Sequence, residues 1–391
     1  MKYLINLVCV ILIAVASTEA TAQIKILYGP YLQNVKSDEA TIVWVADKPS
    51  IGWVELAPND QTHFYGEERP KYFNTTNGVK NTATLHTVKI KGLTKGTTYR
   101  YRIYSQEVLA HEGISVIYGC VAASNVYTKK PLTFTTLDPD KEEASFLMVN
   151  DIHDRENIIT QLLTVASYKD KDLIIFNGDM VSTLNDESTI FDGFMNESID
   201  LFASEQPMYY ARGNHETRGE FATSFQNYFS PREPFLYFTF RQGPVCFIVL
   251  DTGEDKPDSD IEYSGITDYD GYRTEQVEWM KGLSNNKDFD GAKFKIVIAH
   301  MPPSVDPGIW HGQKEVLNKF VPILNEIGVD LMLCGHLHRN KYEEPSTQIQ
   351  FPVLVNSNNS VVSLKTNGNR MDLQVLDLDG KVITEKSYLA K

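Results

Sequence analysis

The sequence predicts an all-β domain followed by a layered α/β domain. Up to about residue 136, apolar residues alternate in short runs separated by turns, and no amphipathic helix is indicated. After residue 143, apolar strands alternate with stretches that carry apolar residues at helical spacing. A length of 391 residues is also too great for one ordinary core, which agrees with two domains.

Residues 1–22 have the layout of a secretory signal peptide. Lys2 supplies a positive charge, Leu4 to Ala16 form an apolar run, and Ala20-Thr21-Ala22 form a cleavage site before Gln23. The apolar run is too short to span a bilayer permanently. We therefore expect a secreted or periplasmic protein with no transmembrane anchor. The alternative is a buried N-terminal strand or helix.

The composition is acidic, with a formal net charge of −14. An acidic surface repels nucleic-acid phosphates and anionic lipids, so no nucleic-acid binding is expected. A small phosphorylated substrate stays compatible with this charge if bound metal supplies local positive charge. Three cysteines follow the signal peptide, Cys120, Cys246 and Cys334, and two of them lie in apolar runs. A disulfide framework is therefore not expected.

Residues 23–137 are predicted to form a β-sandwich, and the polar segment 59–81 an extended hairpin loop. Predicted strands cover Ala40–Val45, Gly52–Leu56, His86–Ile90 and Thr98–Ile103. The string Leu93–Tyr101 resembles the turn and strand of a fibronectin type III module. In that module Tyr99 or Tyr101 would be the corner tyrosine, whose hydroxyl bonds back to the preceding turn; core packing is the alternative. Residues 138–143 are charged, contain a proline and are predicted to be the linker.

The remaining residues, 144–391, are predicted to form the α/β domain. One predicted helix is capped by Thr274 and contains Val277 and Leu283. Antiparallel strands are expected at Leu236–Leu250 and Val361–Tyr388. Further strands are predicted at Ser145–Asn150, Leu173–Phe176, Lys293–Ile298 and Val329–Cys334, and further helices at Asn157–Tyr168 and Gln313–Ile327.

Five clusters of polar residues lie at the ends of apolar runs, which are interpreted as the ends of strands. They are Asp151-Ile152-His153, Gly178-Asp179, Gly213-Asn214-His215-Glu216, His300 and Gly335-His336-Leu337-His338. The carboxyl ends of strands in an open α/β sheet meet in one crevice, so these side chains are expected to converge. Oxygen and imidazole donors without cysteine favour a hard or borderline metal.

The number of these donors exceeds what one ion takes from a protein when it keeps positions open for water. Two metal ions are therefore expected, and Asp179 can bridge them because a carboxylate has two oxygens. The expected metal ligands are Asp151, His153, Asp179, Asn214, His300, His336 and His338.

In their order along the chain, the five clusters resemble those of the calcineurin-like metallophosphoesterases, over about residues 144–360. The segment Tyr28–Gln33, followed by Ala40–Trp44, is similar to the start of the fibronectin-like domain that precedes the catalytic domain in purple acid phosphatases. The resemblance implies a fibronectin type III-like sandwich, then a four-layer α-β-β-α metallophosphoesterase domain. It also implies two divalent or trivalent metal ions, namely iron, zinc or manganese.

The resemblance further implies a role for each site residue. Asp151, His153 and His338 would hold the first metal, with Asp179 bridging, and the second would be held by Asn214, His300 and His336. His215 would be the catalytic histidine that protonates the leaving group or stabilises the transition state. Glu216 or Asp154 would orient its ring. Asn214 would also contact the substrate.

Two positions depart from the purple acid phosphatase pattern. Those enzymes usually have glycine where this chain has His153, and a metal-binding tyrosine where it has Ser182. The resemblance therefore implies that the tyrosinate responsible for the purple colour is absent. His153 takes its place as a ligand, so neither iron at the first position nor an acidic pH optimum is implied.

Arg218 and His311 are further candidates for substrate binding. Arg218 follows the Asn214 cluster and has the geometry to bind a phosphate oxygen, although a surface ion pair is the commoner role. His311 matches a His-Gly pair on a substrate-facing loop of the family. The resemblance predicts a secreted hydrolase of phosphate monoesters that uses metal-activated water. The alternatives are a phosphodiesterase or nucleotide hydrolase, or a surface-binding protein with a vestigial catalytic domain. A homodimer is compatible with the sequence.

Overall fold

The computed structural model describes residues 23–125, 128–229 and 235–391. The predicted signal peptide, residues 1–22, lies outside the described residues. Within the described ranges, every helix is too short or too polar to span a bilayer.

The N-terminal domain is a strand-rich sandwich, as predicted. Its strands are β1 Ile26–Gln33, β2 Glu39–Pro58, β3 Lys71–Phe73, β4 Thr75–Thr76, β5 Val79–Lys80, β6 Thr82–Lys91, β7 Thr98–Glu112, β8 Ser115–Ala123 and β9 Leu132–Thr135. The polar segment 59–81, predicted as a hairpin loop, contains β3 and the small hairpin of β4 and β5.

The central strand of the sandwich is β2, which is 20 residues long. Its first half pairs with β1 and β6, and its second half, from Ser50 to Pro58, pairs with β7. The pairing register with β6 shifts between Val45 and Ser50, where the strand exchanges its partners. The sequence predicted two separate strands here, because polar residues between Val45 and Gly52 interrupt the apolar pattern.

The corner tyrosine of the sandwich is Tyr99. Its hydroxyl accepts a hydrogen bond from the backbone N–H of Thr94, at 2.9 Å, in the turn before the strand. Tyr101 has a different partner, because its hydroxyl donates to the carbonyl of Ser204 in the catalytic domain at 2.6 Å. The sequence left open which of the two is the corner tyrosine, and these hydrogen bonds assign that position to Tyr99.

The C-terminal domain contains two six-stranded mixed sheets. The first has the order β12-β11-β10-β19-β20-β21 and the second the order β13-β14-β15-β16-β18-β17. Their strands are β10 Ser145–Val149, β11 Leu173–Asn177, β12 Met208–Ala211, β13 Phe238–Gln242, β14 Val245–Leu250, β15 Phe294–Ala299, β16 Leu331–Cys334, β17 Lys341–Glu343, β18 Val353–Val355, β19 Ser360–Asn367, β20 Arg370–Asp377 and β21 Val382–Leu389.

The two sheets pack face to face, with helices on both outer faces. Successive side chains of a strand point to opposite faces. In β10, Phe146 and Met148 contact the second sheet, while Leu147 and Val149 pack under helices. In β15, Ile296 faces the first sheet and Val297 faces the helices of the other side. This is the four-layer α-β-β-α arrangement that the resemblance implies.

The helical segments are short, and several include wider π-helical turns. The residue that caps the longest of the described helices is Asp268, whose side chain accepts a hydrogen bond from the backbone N–H of Gly271, so the prediction that Thr274 caps this helix was wrong. The helices are α1 Ile158–Val165, α2 Glu187–Ile190, α3 Asn196–Ser198, α4 Gln226–Phe229, α5 Tyr269–Lys281, α6 His311–Glu315 and α7 Val321–Glu326, with π turns at Phe191–Met195, Ile199–Ala203 and Val316–Phe320.

The two domains share a continuous interface. The rings of Tyr28 and Phe191 stack at 4.0 Å, and the hydroxyl of Tyr31 donates to the carbonyl of Tyr228. The predicted linker, residues 138–143, lies against the turn between β13 and β14, where Asp138 N–H donates to the side chain of Gln242. The sandwich is therefore held against the catalytic domain by packing as well as by the chain connection.

Candidate metal centre

Each predicted cluster begins within three residues of the end of a strand, and the two sheets bring these ends together. Asp151, Asp179 and Asn214 follow β10, β11 and β12 of the first sheet. His300 and His336 follow β15 and β16 of the second sheet. Because β10, β11 and β12 are parallel to one another, as are β15 and β16, each sheet presents its clusters at one edge.

Five of the cluster residues have left-handed backbone conformations, which cost about 1–2 kcal/mol for a residue with a side chain. They are Asp151, His153, Asp179, His336 and His338, with φ between 50° and 73°. Strain of this kind persists only where the surroundings enforce it, and it concentrates at functional sites. At these clusters the backbone therefore leaves the extended strand conformation, and the side chains are directed by the left-handed turns.

The first group of side chains contains Asp151, His153 and His338. Nε2 of His338 lies 3.1 Å from Oδ1 of Asp151 and 3.1 Å from Nε2 of His153. Nε2 of His153 lies 3.9 Å from the same Asp151 oxygen. Each of these three side chains therefore brings one donor atom to within 4.8 Å of the other two.

The second group contains Asp179, His300, His336 and Asn214. Nε2 of His300 lies 3.0 Å from Oδ2 of Asp179, and Nδ1 of His336 lies 3.0 Å from Oδ1 of Asn214. The same Asp179 oxygen lies 3.9 Å from Nε2 of His153 in the first group. Asp179 thus lies between the two groups, with its Oδ2 close to donor atoms of both.

The residues present fit a pair of metal ions. Oδ1 of Asp151 and Nε2 of His300 are buried and form no hydrogen bond, although other donor atoms of the site lie close to them. Burial lowers the pKa of His300, but the Asp179 and Asp151 carboxylates outweigh burial and raise it to about 10. The site therefore attracts positive charge, and a metal cation would displace the imidazole proton.

The loops that carry these ligands are supported by Glu216. This buried carboxylate accepts hydrogen bonds from the backbone N–H groups of Asp179, Met180 and Gly213, and from the hydroxyl of Tyr210. Gly213 has no room for a side chain, because an added Cβ would lie 2.2 Å from a carboxylate oxygen of Asp179.

His215 lies beside the two groups, with Nε2 4.0 Å from Oδ2 of Asp179. Its Nδ1 donates to the carbonyl of Ser182 at 2.7 Å, which leaves Nε2 as the ring nitrogen on the side of Asp179. The prediction that Glu216 or Asp154 orients the ring was wrong. Glu216 supports the backbone, and Asp154 acts one step away, by accepting from the N–H of Ser182 at 2.9 Å.

Arg218 is half-buried and is held by Glu254. Its Nε and Nη2 donate to the two oxygens of Glu254 at 2.7 and 2.9 Å. The third nitrogen, Nη1, lies 3.3 Å from Nε2 of His215. Arg218 therefore lies next to His215, the predicted catalytic histidine. Its Nε and Nη2 bind Glu254, and its Nη1 is on the side of His215.

His311 lies outside both metal groups. Its Nε2 lies 2.8 Å from a carboxylate oxygen of Asp270, and Glu315 is close to both residues. Lys319 and Arg273 bind Glu315 and Asp270, so this smaller cluster is already neutralised by cations of the chain. The backbone N–H of the following Gly312 donates to the carbonyl of Asp255, next to Glu254.

Comparison with known proteins agrees with this geometry. The model of the calcineurin-like phosphoesterases matches residues 144–340, and that of the purple acid phosphatase N-terminal domain matches residues 29–136. The chain belongs to the calcineurin-like phosphoesterase family.

Two similar proteins are purple acid phosphatases of plants. Purple acid phosphatase 18 of Arabidopsis thaliana is 27% identical over 154 residues, which are 36% of this chain and 32% of that protein. The match thus spans about a third of that relative's length. The structure of purple acid phosphatase PPD1 from yellow lupin (Lupinus luteus) seeds superposes with a TM-score of 0.68 at 16% identity. It covers 92% of this chain and 74% of that chain, so the two share the fold.

In this calcineurin-like phosphoesterase, the sequence did not identify Glu254 as the partner of Arg218 or the carbonyl of Ser182 as the partner of His215. Glu254 belongs to the run Asp251-Thr252-Gly253-Glu254-Asp255, directly after β14. A polar run after an apolar strand is the same signal that identified the other clusters, and it was present in the sequence. The carbonyl of Ser182 gives no such signal, because any residue supplies one.

Proposed function

We propose that this protein is a secreted phosphatase that hydrolyses phosphate monoesters at a dinuclear metal site, by attack of metal-activated water. The observation that carries the proposal is the convergence of seven donor side chains from five strand ends. They form two groups that meet at Asp179, and His215 lies beside them.

The first metal would be held by Asp151, His153 and His338, and the second by Asn214, His300 and His336, with Asp179 shared. Nitrogen and oxygen donors of this kind suit iron, zinc or manganese. Two such ions lower the pKa of a bound water and stabilise the charge of an in-line displacement at phosphorus. Ser182 stands where purple acid phosphatases have a metal-binding tyrosine, so we expect no tyrosinate ligand and no purple colour with iron.

The side chains around the metals would bind the phosphate and move protons. The Nη1 group of Arg218 and the amide of Asn214 would donate hydrogen bonds to phosphate oxygens. In its doubly protonated form, His215 would give the Nε2 proton to the oxygen of the leaving group and keep the Nδ1 proton, which is donated to the carbonyl of Ser182. The role of His311 at the substrate pocket remains a prediction.

Two further features belong to the proposal. Secretion rests on the signal-like layout of residues 1–22. The complete set of donor residues argues against a surface-binding protein with a vestigial site, because such a site would be free to lose ligands.

The test is hydrolysis of two chromogenic substrates by protein loaded with manganese, zinc or iron. We expect p-nitrophenyl phosphate to be hydrolysed faster than bis(p-nitrophenyl) phosphate between about pH 5 and pH 9. Faster hydrolysis of the diester would favour the phosphodiesterase alternative. No hydrolysis of either substrate with any of the metals would contradict the enzymatic proposal.

A further inference from the structure

A large cavity lies between the sandwich and the catalytic domain, and we call it the interdomain cavity. Its volume is about 860 Å³, which is within the range of small-molecule binding sites. The sandwich lines it with parts of β1, β7 and β9, and the catalytic domain lines it mainly with residues of the segments 168–172 and 199–207. A ligand in this cavity would therefore contact both domains.

The interdomain cavity is separate from the metal centre. Segments 168–172 and 199–207 precede β11 and β12, so the cavity lies toward the amino ends of these strands. Asp179 and Asn214 follow the carboxyl ends of the same strands. None of the predicted metal ligands lines the cavity. A molecule bound there would therefore not be the substrate of the metal centre.

The lining of the interdomain cavity carries an excess of positive charge. Five cationic side chains and three carboxylates line it, although the whole chain has a net charge of −14. Within the described residues, none of the five cations has a carboxylate oxygen within 4.0 Å. The five are Arg102, Lys129, Lys130, Lys169 and Lys171.

Two of the three carboxylates of the lining are already bound by other groups. Asp172 forms an ion pair with Lys141 at 2.6 Å and accepts a hydrogen bond from the backbone N–H of Ser145 at 2.7 Å. Glu205 accepts hydrogen bonds from the N–H and the hydroxyl of Thr133 at 2.8 and 2.9 Å. The lining therefore leaves most of its positive charge without a counter-ion.

Arg102 is the buried cation of the lining, and it is 4% exposed. Its Nη1 donates to the carbonyl of Asn125 at 2.7 Å, and its Nη2 to the carbonyl of Lys129 at 3.2 Å. Its guanidinium also lies 5.4 and 5.5 Å from the ring centroids of Phe64 and Tyr65. These partners orient the guanidinium but supply no negative charge, and the buried Nε has no hydrogen-bond partner in the described chain.

This situation distinguishes Arg102 from the other buried arginines. A buried charge is costly unless an opposite charge is paired with it. Among the five buried arginines of the described ranges, the other four each form an ion pair with a carboxylate: Arg69, Arg100, Arg212 and Arg273. The missing counter-ion of Arg102 lies beside a cavity with further unpaired cations, which indicates that an anion from outside the chain fills this role.

We propose that the interdomain cavity binds a small anion that carries one or more phosphate groups. A phosphate group has a charge of about −1.5 to −2 and three acceptor oxygens, so one group can face several cations at once. Arginine and lysine are the side chains that most often bind such groups. Arg102, Lys129 and Lys130 would hold the anion from the sandwich, and Lys169 from the catalytic domain.

The first test is isothermal titration calorimetry of the full chain with two probes. One is inorganic phosphate, and the other is α,β-methylene-ADP, a nucleotide analogue whose link between the two phosphorus atoms resists hydrolysis. Both probes are titrated into the unmodified protein and into Asp179→Ala, in which the metal centre is expected to lose its metals. We expect binding to persist in Asp179→Ala, because the interdomain cavity does not contain that residue.

The second test removes the charge of the interdomain cavity in the Asp179→Ala background. We expect the dissociation constant to rise at least ~10-fold in Lys129→Gln/Lys130→Gln, because two cations that face the anion are lost. Lys287→Gln/Lys293→Gln is the matched control, since both lysines are exposed and neither lines the cavity. In the unmodified background, Lys129→Gln/Lys130→Gln should hydrolyse p-nitrophenyl phosphate at the normal rate.

Arg102→Gln should weaken binding further, since it removes the buried charge. Circular dichroism checks that this variant is folded, and the lysine variant, which changes only exposed side chains, tests the proposal even if Arg102→Gln does not fold. Equal affinity for the two probes would assign the cavity to free phosphate. Tighter binding of α,β-methylene-ADP would assign it to an organic phosphate, as the volume of the cavity favours.

Three results would overturn the proposal. The first is no binding of either probe to Asp179→Ala, and the second is binding that the loss of Lys129 and Lys130 does not weaken. The third is binding of citrate, an anion without phosphate, as tight as that of either probe. Because binding is measured in Asp179→Ala, these assays can fail while phosphatase activity is found, and the reverse.

Discussion

Two fully buried histidines, His86 in the sandwich and His300 in the catalytic domain, have opposite electrostatic surroundings. Burial lowers the pKa of His86 to about 4, and its Nε2 lies 2.7 Å from the hydroxyl oxygen of Ser50. Burial also acts against a proton on His300, yet the Asp179 and Asp151 carboxylates raise its pKa to about 10. The imidazole of His86 is thus held in its neutral form, whereas the surroundings of His300 favour the positively charged form.

The difference shows which domain is built for chemistry. The sandwich buries one imidazole among Trp44, Ser50 and apolar side chains, where it packs and fills space. The crevice buries two carboxylates next to several imidazoles, an arrangement that a packed core alone does not need. We infer that the crevice binds cations and that the sandwich supports it.

The largest expected effect follows from removing the shared carboxylate of the crevice. In Asp179→Ala both metal groups lose a ligand, so we expect metal content to fall and phosphatase activity to decrease ~10³-fold or more. Asp290→Ala removes an exposed carboxylate of the same domain and should change neither quantity. Normal activity in Asp179→Ala would mean that the crevice is not the site of reaction.

Removing His215 should separate proton transfer from metal binding. We expect His215→Ala to lower kcat ~10²–10³-fold while the metal content stays that of the unmodified protein. His111→Ala, in the exposed part of the sandwich, is the control. If His215→Ala also loses its metals, then His215 is a ligand and not the proton donor.

His86 should make the sandwich sensitive to acid. The unfolded chain binds a proton near pH 6.5 and the folded chain only near pH 4, so the stabilisation present above pH 6.5 is lost as the pH falls toward 4. The expected loss reaches about 3 kcal/mol. Urea unfolding followed by tryptophan fluorescence measures it, with and without His86→Gln.

In His86→Gln the free energy of unfolding should depend less on pH over this range. His63→Gln replaces an exposed histidine of the same domain and should leave the pH dependence unchanged. An identical pH dependence in His86→Gln and in the unmodified protein would show that His86 does not titrate as its surroundings indicate.

The smallest expected effect concerns the rim of the crevice. Glu254→Gln keeps the shape of the side chain but removes the negative charge that binds the Arg218 guanidinium. We therefore expect kcat/KM to fall ~10-fold with metal content unchanged. The exposed Glu262→Gln is the matched control. No change in Glu254→Gln would indicate that Arg218 does not act on the substrate.

Much of the fold could be predicted because its elements follow simple periodicities. Strands β10, β11, β15 and β16, which carry four of the clusters, are mostly apolar runs, and the regions of β13–β14 and β19–β21 were predicted to hold antiparallel strands. No strand was predicted at β12, which carries the Asn214 cluster. The helical segment from Glu187 to Ala203 was not predicted. Two π turns, Phe191–Met195 and Ile199–Ala203, add residues to its turns and shift its apolar positions away from regular helical spacing.

The residues of the metal centre could be predicted better than the residues that hold His215 and Arg218 in place. Ligands such as Asp151 and His300 stand at strand ends, where the fold itself brings them together. The partners of His215 and Arg218 depend on how loops distant in sequence pack against each other. Ser182 and Glu254 are such partners, at separations of 33 and 36 residues. Sequence spacing carries no information about contacts of that kind.

Metal analysis of the purified protein tests the central claim most directly. Inductively coupled plasma mass spectrometry, after loading and removal of excess metal, should find two ions per chain, and clearly fewer in Asp179→Ala. Two ions that depend on Asp179 would agree with a dinuclear crevice. No bound metal, one ion per chain, or two ions that persist in Asp179→Ala would contradict it.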